Sequence, residues 1–349
     1  MKPEEDCAYI SLKRWRDRQW REESSAGSKI DFFVGSLYPL SVCVSRVLER
    51  FFVFLPAVIM SAGVALAAPN DSLTVSRDIP YDHVTGVDPN LLSLDVYAPK
   101  EGTAAARDLR PVLVMIHGGA WQIGDKATPN IGSRKAATFV SNGFVYVAIN
   151  YRLSPSVRYA TQAGDVAKAL AWVVQNIGHY SGDPRRIYIM GHSAGAHLAA
   201  LVATDETYLT RDGLSLNTIS GVVLLDTGAY DIPWVMEHIA TRIRDMMFSP
   251  AFGNDPKAWS NASPIDHISA GKGIPPMLIL YANRPRSPDA SRRFAQALKA
   301  AGVPAAGVEV QGKNHGAMNR DAGNPNDAET QIILKFLRGK SLSELPESI

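Results

Sequence analysis

The sequence predicts an α/β protein built on a mostly parallel β-sheet with helices on both faces. From about residue 73, short apolar runs alternate with segments of helical period. Most of these runs are apolar throughout, which is typical of parallel strands buried on both faces. No internal repeat or low-complexity linker divides them. We therefore predict one domain at residues 73–340.

Individual elements can be placed on this pattern. Residues 92–97 alternate apolar and polar side chains, which predicts an early strand with one exposed face. Buried strands are predicted at 112–116, 144–149, 187–190, 222–225 and 277–281. Apolar residues recur at helical spacing from Val166 to Ile177 and predict a helix that ends at Gly178. Residues 290–301 and 328–337 are also predicted to be helices that cover the sheet.

Residues 231–275 depart from this alternation. They place bulky apolar side chains between two predicted core strands: Trp234, Met246, Met247, Phe248, Phe252 and Trp259. Such a set is compatible with a helix packed on the core. It is equally compatible with a small cap that lines an acyl or alcohol pocket. Both interpretations stay open at this point.

The N-terminal part contains an apolar run at 51–67, preceded by arginines and ending in the small residues Ala65 and Ala67. A basic flank, an apolar centre and a small-residue cleavage site are typical of a secretory signal. We predict that 45–67 is a signal peptide and that the protein is exported, to the periplasm or beyond. The alternative is an uncleaved membrane anchor, for which the run is barely long enough. Residues 1–44 are predicted to be disordered, absent from the mature protein, or the product of a mis-assigned start.

Composition excludes several classes of function. With 46% hydrophobic and 20% charged residues, the chain can bury a sizeable core. A net charge of +2 without a basic stripe gives no support for a nucleic-acid partner. Cys7 and Cys43 both precede the predicted signal cleavage site, so thiol catalysis and disulfides are not expected in the mature protein. The histidines and carboxylates show no metal-ligand spacing such as H-E-x-x-H, so no metal is predicted.

The strongest chemical signal is Gly191-His-Ser193-Ala-Gly195, which directly follows the strand predicted at 187–190 and precedes a helix-forming run. This is G-x-S-x-G in the strand-turn-helix context that gives the motif its meaning. A nucleophile on so tight a turn has a strained backbone, and side chains at the two glycine positions would collide with neighbouring elements. We predict that Ser193 is a catalytic nucleophile.

A second motif, His117-Gly-Gly-Ala-Trp121, immediately follows the strand predicted at 112–116. Glycines at this point let backbone N–H groups approach a tetrahedral oxyanion closely. We predict an oxyanion hole formed by the amides of Gly118, Gly119 and Ala194, the last being the residue after the nucleophile. We also assign Trp121 to substrate binding.

The third motif is Gly312-Lys-Asn-His315-Gly316, which follows a short apolar stretch and precedes the last predicted helix. A loop histidine after the final strand is where the general base belongs in the chain order serine, acid, histidine. His192 and His197 are closer to the serine in sequence. We expect His192 to point away from the serine and His197 to be a packing residue, so His315 is our candidate base.

These motifs together resemble the hormone-sensitive-lipase and carboxylesterase branch of the α/β-hydrolases. The resemblance rests on four stretches: His117–Trp121, Tyr151-Arg-Leu153, Gly182-Asp-Pro184 and Gly191–His197. It implies a mainly parallel eight-stranded sheet and a cofactor-free ester hydrolase. The stretch Gly191–His197 is also similar to arylformamidases, which cleave a formamide with the same machinery.

The sequence departs from this family at the acid of the triad. Relatives usually carry Gly-x-x-Asp just after the strand equivalent to 277–281, but the stretch Tyr281-Ala-Asn-Arg-Pro-Arg-Ser-Pro-Asp289 has no carboxylate in the expected place. Asp289, a few residues later, is our first candidate, although an aspartate near the start of a helix also has a structural role. Asp226 and Asp231, which follow the preceding strand, are alternatives, and Asp231 resembles a structural turn residue of the family.

The predicted reaction is ester hydrolysis through an acyl-enzyme intermediate on Ser193, with a small-molecule ester as substrate. Hydrolysis of an amide or formamide by the same residues is the nearest alternative. A non-catalytic binding protein that retains the fold is an alternative from another class. Membrane contact is predicted only through an N-terminal anchor, and the sequence does not indicate an oligomeric state.

Overall fold

The computed structural model describes residues 73–100 and 109–349. The predictions for residues 1–44 and 45–67 lie outside the described residues. The described chain contains eight strands: β1 Leu73–Pro80, β2 Ser93–Pro99, β3 Arg110–Ile116, β4 Val145–Ile149, β5 Gly182–His192, β6 Ile219–Leu225, β7 Met277–Ala282 and β8 Ala305–Val310. Every strand predicted from an apolar run is present, and β1 and β8 extend the sheet at its two edges.

The strands form one sheet in the order β1-β2-β4-β3-β5-β6-β7-β8. β1 and β2 pair in the antiparallel sense, as do β2 and β4, and all other neighbours are parallel. The prediction of an eight-stranded, mostly parallel sheet is thus confirmed. Because parallel neighbours run in one direction, the carboxyl ends of β3, β5, β6, β7 and β8 share one edge of the sheet.

Helices cover both faces of this sheet. The described α-helices of five or more residues are α1 Ser133–Ser141, α2 Tyr159–Asn176, α3 Ala194–Thr204, α4 Glu206–Thr210, α5 Ile232–His238, α6 Pro256–Asn261, α7 Ser287–Ala300, α8 His315–Asp321 and α9 Ala328–Leu337. α2 and α3 contribute to the apolar core on one face, while α1 and α9 contribute to the core on the other. Successive residues of β3, such as Val114 and Met115, enter opposite cores because successive side chains of a strand point to opposite faces.

The segment at 231–275 consists of short helical pieces between β6 and β7. Besides α5 and α6, it contains the helical turns Thr241–Ile243, Arg244–Phe248, Ser249–Phe252 and Pro264–His267. Phe252 is fully buried, with its ring centroid 4.7 Å from that of Trp121, whereas Ile243 is 40% exposed. Part of the segment therefore packs on the core and part faces solvent.

The C-terminal residues pack along the β8 edge of the sheet. Glu309 donates a backbone hydrogen bond to Glu347, and Gln311 donates one to Ile349. The domain therefore continues past the boundary predicted at residue 340. Within the parts of the chain that the structure describes, no helix combines the length and the apolar character needed to cross a membrane.

Candidate active site

Ser193 lies on a sharp turn between β5 and α3, with a φ of 55°. The two glycines around it are required sterically. A Cβ at position 191 would stand 2.2 Å from the backbone oxygen of Gly195, and one at position 195 would stand 2.2 Å from that of Ile116. Only glycine lets β3, β5 and α3 approach so closely, and the turn presents the serine hydroxyl at the carboxyl edge of the sheet.

His315 is the first residue of α8, which begins after the loop that follows β8. The side chain of Asn314 caps this helix by accepting a 2.9 Å hydrogen bond from the amide of Ala317, which fixes where the helix begins. The Nε2 atom of His315 lies 3.0 Å from Oγ of Ser193. This is the distance that proton transfer from the hydroxyl to the imidazole requires.

Asp226 provides the carboxylate of this arrangement. It directly follows β6, is fully buried and has a φ of 46°. Its Oδ2 lies 2.6 Å from Nδ1 of His315. Because a carboxylate only accepts hydrogen bonds, Nδ1 carries the proton and Nε2 is left to accept from Ser193. Asp226 was an alternative in the sequence analysis, and the structure places it at the histidine.

The prediction that Asp289 lies at the histidine is wrong. Asp289 is in the first turn of α7, its side chain is 75% exposed, and its carboxylate pairs with Arg292 at 3.4 Å. Asp231 does not reach the histidine either. It caps α5 by accepting from the amide of Trp234 and pairs with Arg293, in line with the structural role expected for it.

Two further side chains hold Asp226, and the sequence motifs predict a role for neither. Ser287 donates a 2.6 Å hydrogen bond to Oδ1, and Arg284 donates from Nε to Oδ2 at 2.7 Å. Burial alone would raise the pKa of Asp226. The hydrogen bond and charge of His315 together with the charge of Arg284 outweigh burial and lower that pKa below its usual range. Arg284 lies in the stretch 281–289, where the sequence has no carboxylate in the place expected for the acid.

The predicted oxyanion loop lies against the nucleophile. A Cβ on Gly118 would stand 3.2 Å from Cβ of Ser193, so this backbone passes directly beside the serine. Gly119 has a φ of 122°, and its carbonyl accepts from the amides of Gln122 and Ile123. These bonds close a tight turn that holds the Gly118–Gly119 backbone beside the serine.

Ala194 is the first residue of α3. The first N–H groups of a helix have no partner within it, and the helix dipole adds partial positive charge there. The amide of Ala194 therefore belongs to an environment that favours a negative oxygen near Ser193. This arrangement matches the geometry expected for Gly118, Gly119 and Ala194, and their part in catalysis stays a prediction.

Trp121 has little surface available to a substrate. Its side chain is 3% exposed, and Nε1 donates a 3.2 Å hydrogen bond to Nδ1 of His197. His197 in turn donates from Nε2 to the carbonyl of Ala262 at 2.8 Å. Burial lowers the pKa of His197 to about 4, so this histidine is a neutral packing residue, as expected. The described contacts of Trp121 are structural, and nothing in them supports the assignment to substrate binding.

His192 supports the loop that carries the base. Its Nε2 lies 3.0 Å from the backbone oxygen of His315, and the two imidazole rings are 4.6 Å apart. Burial and the neighbouring His315 lower the pKa of His192 well below its usual value. A neutral His192 can donate from Nε2 to this carbonyl, which ties the start of α8 to the end of β5.

The sheet order, the serine on a strained turn after β5 and the histidine after β8 define an α/β-hydrolase. The resemblance of the sequence motifs to the α/β-hydrolases is therefore confirmed. A family model described as BD-FAE matches residues 94–296, more than half of the chain, and the protein therefore belongs to the BD-FAE family.

Two curated relatives illustrate the range of this similarity. Esterase LipQ of Mycobacterium tuberculosis is 34% identical over 246 residues, which cover 65% of this chain and 53% of LipQ. Kynurenine formamidase of Danio rerio is 27% identical over 264 residues, which cover 76% of this chain and 82% of the relative. The chain spans about half the length of LipQ and of two plant isoprenylcysteine methylesterases that it also matches.

Solved structures agree on the fold. The crystal structure of esterase B from Lactobacillus rhamnosis superposes with a TM-score of 0.62 at 21% identity, covering 77% of this chain and 85% of that one. At this identity the match establishes the α/β-hydrolase fold and nothing finer.

Proposed function

We propose that this protein is a serine carboxylesterase that hydrolyses small carboxylic esters through an acyl-enzyme intermediate. The observation that carries the proposal is the hydrogen-bonded chain from Ser193 through His315 to Asp226, with distances of 3.0 and 2.6 Å. Such a chain activates a hydroxyl as a nucleophile, and the turn at Ser193 presents it beside a backbone suited to an oxyanion. Similarity to esterases such as LipQ supports the same class of substrate.

The residues act in two half-reactions. His315 accepts the proton of Ser193 as the Oγ attacks the ester carbonyl, and Asp226 stabilises the imidazolium that forms. The amides of Gly118, Gly119 and Ala194 hold the tetrahedral oxyanion. The imidazolium then gives its proton to the departing alcohol. Water attacks the acyl enzyme with His315 again as base, and Ser193 is restored.

The test uses purified wild type and the Ser193→Ala variant with p-nitrophenyl esters of increasing acyl length and with a fluorophosphonate probe. We expect wild type to hydrolyse short esters and to be labelled once. The variant should do neither, because its only change is loss of the attacking oxygen. Equal labelling of both proteins would contradict the proposal and favour a binding protein that retains the fold.

Formamide hydrolysis is a second candidate for the same site. It is favoured by the match to kynurenine formamidase, which extends over 82% of that relative. A formamide carbonyl would need the same nucleophile, base and oxyanion donors, so the triad geometry alone does not separate the two reactions. Turnover of N-formyl aromatic amides measured beside the p-nitrophenyl esters separates them. A larger kcat/KM for the formamide would replace the ester assignment.

We also propose that the protein is exported and that residues 45–67 are removed as a signal peptide. The order of basic flank, apolar centre and small residues supports this proposal. The test is the intact mass of protein recovered from the exported fraction, which should begin close to Ala68. Recovery with membranes and a mass that includes residues 51–67 would support the anchor instead.

A further inference from the structure

Arg284 lies beside the proposed catalytic groups and contacts one of them at two points. Its Nε donates to Oδ2 of Asp226 at 2.7 Å, and its Nη2 donates to the backbone oxygen of the same residue at 3.2 Å. Oδ2 is also the atom that accepts from Nδ1 of His315 at 2.6 Å. One carboxylate oxygen therefore joins a permanent positive charge to the imidazole.

The segment from the end of β7 to the start of α7 controls the orientation of this carboxylate. Besides Arg284, it provides Ser287, which donates to Oδ1 at 2.6 Å, and the amide of Ala282, which donates to the same oxygen at 3.2 Å. Donors on both oxygens prevent the carboxylate from rotating away from His315. If Arg284 alone is removed, Ser287 and the amide of Ala282 still bind Oδ1. Orienting the carboxylate is therefore only part of the effect of the arginine.

The charge of Arg284 has a second effect. A guanidinium stays protonated at every pH at which the protein is folded. A fixed cation on the carboxylate oxygen that also contacts the imidazole disfavours a second positive charge there. The Arg284 side chain is 35% exposed while Asp226 is fully buried, so solvent weakens this effect without removing it.

We propose that Arg284 is a positioning residue for the hydrolase reaction: it fixes the Asp226 carboxylate, and its charge acts on His315 through that carboxylate. This inference rests on the proposed function, in which His315 takes the proton of Ser193. The arginine touches no reacting atom and acts through Asp226.

Other titratable groups face the same pair, and none of them mimics Arg284. His192 packs on His315 from the end of β5, but burial and His315 itself keep its pKa low. Tyr230, in the loop after β6, has a raised pKa because of burial and Asp226, so it stays neutral. Lys135 of α1 contacts the far end of α8 through backbone oxygens. Its charge is common to wild type and all variants.

The experiment compares Arg284→Gln and Arg284→Lys with wild type in the pH dependence of kcat/KM for a short p-nitrophenyl ester. In Arg284→Gln we expect the acid limb to move to higher pH by about 0.5 to 1 unit, because the neutral side chain no longer opposes the imidazolium. In Arg284→Lys the limb should stay within about 0.2 units of wild type, since the charge is kept. The maximum of kcat/KM should fall in both because the two-point contact is lost.

Arg286→Gln is the matched control. It removes the same charge from the same loop, but Arg286 is exposed and donates to the backbone oxygen of His238. Its acid limb should stay where wild type has it. Arg284→Ala, which leaves room for water, serves as the neutral variant if glutamine prevents folding. An unmoved limb in the neutral variants, or an equal shift in Arg284→Lys, would overturn the proposal.

A second readout needs no substrate. The Nδ1 proton between His315 and Asp226 should give a low-field NMR resonance, assigned by its absence in His315→Gln, whose pH dependence follows imidazole protonation. In Arg284→Gln the transition of this resonance should move upward by the same amount as the acid limb. If wild type hydrolyses none of the substrates, the proposed function fails, yet this resonance still reports whether Arg284 favours the neutral imidazole. A transition unchanged by Arg284→Gln would overturn the proposal independently.

Discussion

Ser193 and Asp226 share an unusual backbone conformation, with φ angles of 55° and 46°. A residue other than glycine with positive φ costs about 1 to 3 kcal/mol and persists only where its surroundings hold it. Here each of the two residues is held by a backbone hydrogen bond to the neighbouring strand. The amide of Ser193 donates to the carbonyl of Leu225, and the amide of Asp226 donates to that of Leu280. The nucleophile and the acid are therefore fixed by the sheet itself.

Asp226→Asn should lower kcat about 10³- to 10⁴-fold with little change in KM. The amide cannot stabilise the imidazolium and favours the wrong tautomer of His315. Asp289→Asn is the matched control, because it makes the same chemical change at an exposed carboxylate. Steady-state kinetics on one ester measures both variants. A large loss in Asp289→Asn, with Asp226→Asn close to wild type, would contradict the acid that the structure indicates.

The difference between these two aspartates shows what the sequence could not provide. Ser193 and His315 follow from local motifs, because a strained turn and a loop histidine leave recognisable residues around them. The acid of the triad can be any carboxylate that reaches Nδ1 of His315. No local sequence pattern shows which strand end supplies it. Asp226, Asp231 and Asp289 were all compatible with the chain order, and only the packing of β6 beside β7 selects the first.

At the scale of elements, α8 carries His315 at one end and is anchored at the other by α1. Lys135 of α1 is 1% exposed, and its Nζ donates to the backbone oxygens of Asn319 and Ala322 near the end of α8. A lysine at a helix C-terminus satisfies carbonyls that have no partner within the helix. Burial lowers the pKa of Lys135 to about 7. The position of the general base therefore depends on an element far from it in sequence.

Lys135→Met should lower the free energy of unfolding by about 1 to 3 kcal/mol, because it leaves buried carbonyls without donors. It should also lower kcat, since α8 can then shift relative to Ser193. Thermal unfolding and ester kinetics measure the two effects. Lys335→Met on the exposed face of α9 removes the same charge and should change neither. Unaltered kcat in a destabilised Lys135→Met would show that α8 holds its place without this anchor.

The buried carboxyl of Glu329, on α9, gives this region a pH dependence. Burial raises its pKa to about 7, although Lys313 opposes the shift with a 2.8 Å hydrogen bond. The folded protein thus keeps a proton on Glu329 to higher pH than the unfolded chain does. Its contribution to stability is present below the usual pKa of a glutamate and is lost as the pH rises toward 7.

Glu329→Gln should therefore flatten the fall in unfolding free energy between about pH 5 and 7. Denaturant unfolding at several pH values measures the slope. Glu344→Gln, in the C-terminal segment, makes the same chemical change at an exposed side chain and serves as control. A slope in Glu329→Gln as steep as that of wild type would show that other groups cause the pH dependence.

On the scale of the whole molecule, the sheet brings together residues that are far apart in sequence. β3, β5, β6, β7 and β8 end side by side, so the loops that follow them carry Gly118, Ser193, Asp226, Arg284 and His315. Apolar periodicity was sufficient to predict most strands and their parallel arrangement, because burial on both faces dictates it. The short helices at 231–275 follow no single period, and their packing could not be derived from the sequence.

The C-terminal residues complete this sheet along β8, the strand that leads to His315. Deletion of residues 345–349 should lower the melting temperature by several degrees, because it exposes the edge of β8 and removes its backbone bonds to Glu347 and Ile349. Hydrogen exchange should accelerate at the amides of Glu309 and Gln311. Glu347→Gln keeps these backbone bonds and should leave exchange unchanged. Unaltered protection in the truncated chain would contradict the role of the tail.

Arg284 and Asp226 follow the adjacent strands β7 and β6, and they meet at one carboxylate oxygen that also contacts His315. A substitution at the end of β7 is therefore expected to affect the histidine through a carboxylate that the neighbouring strand carries.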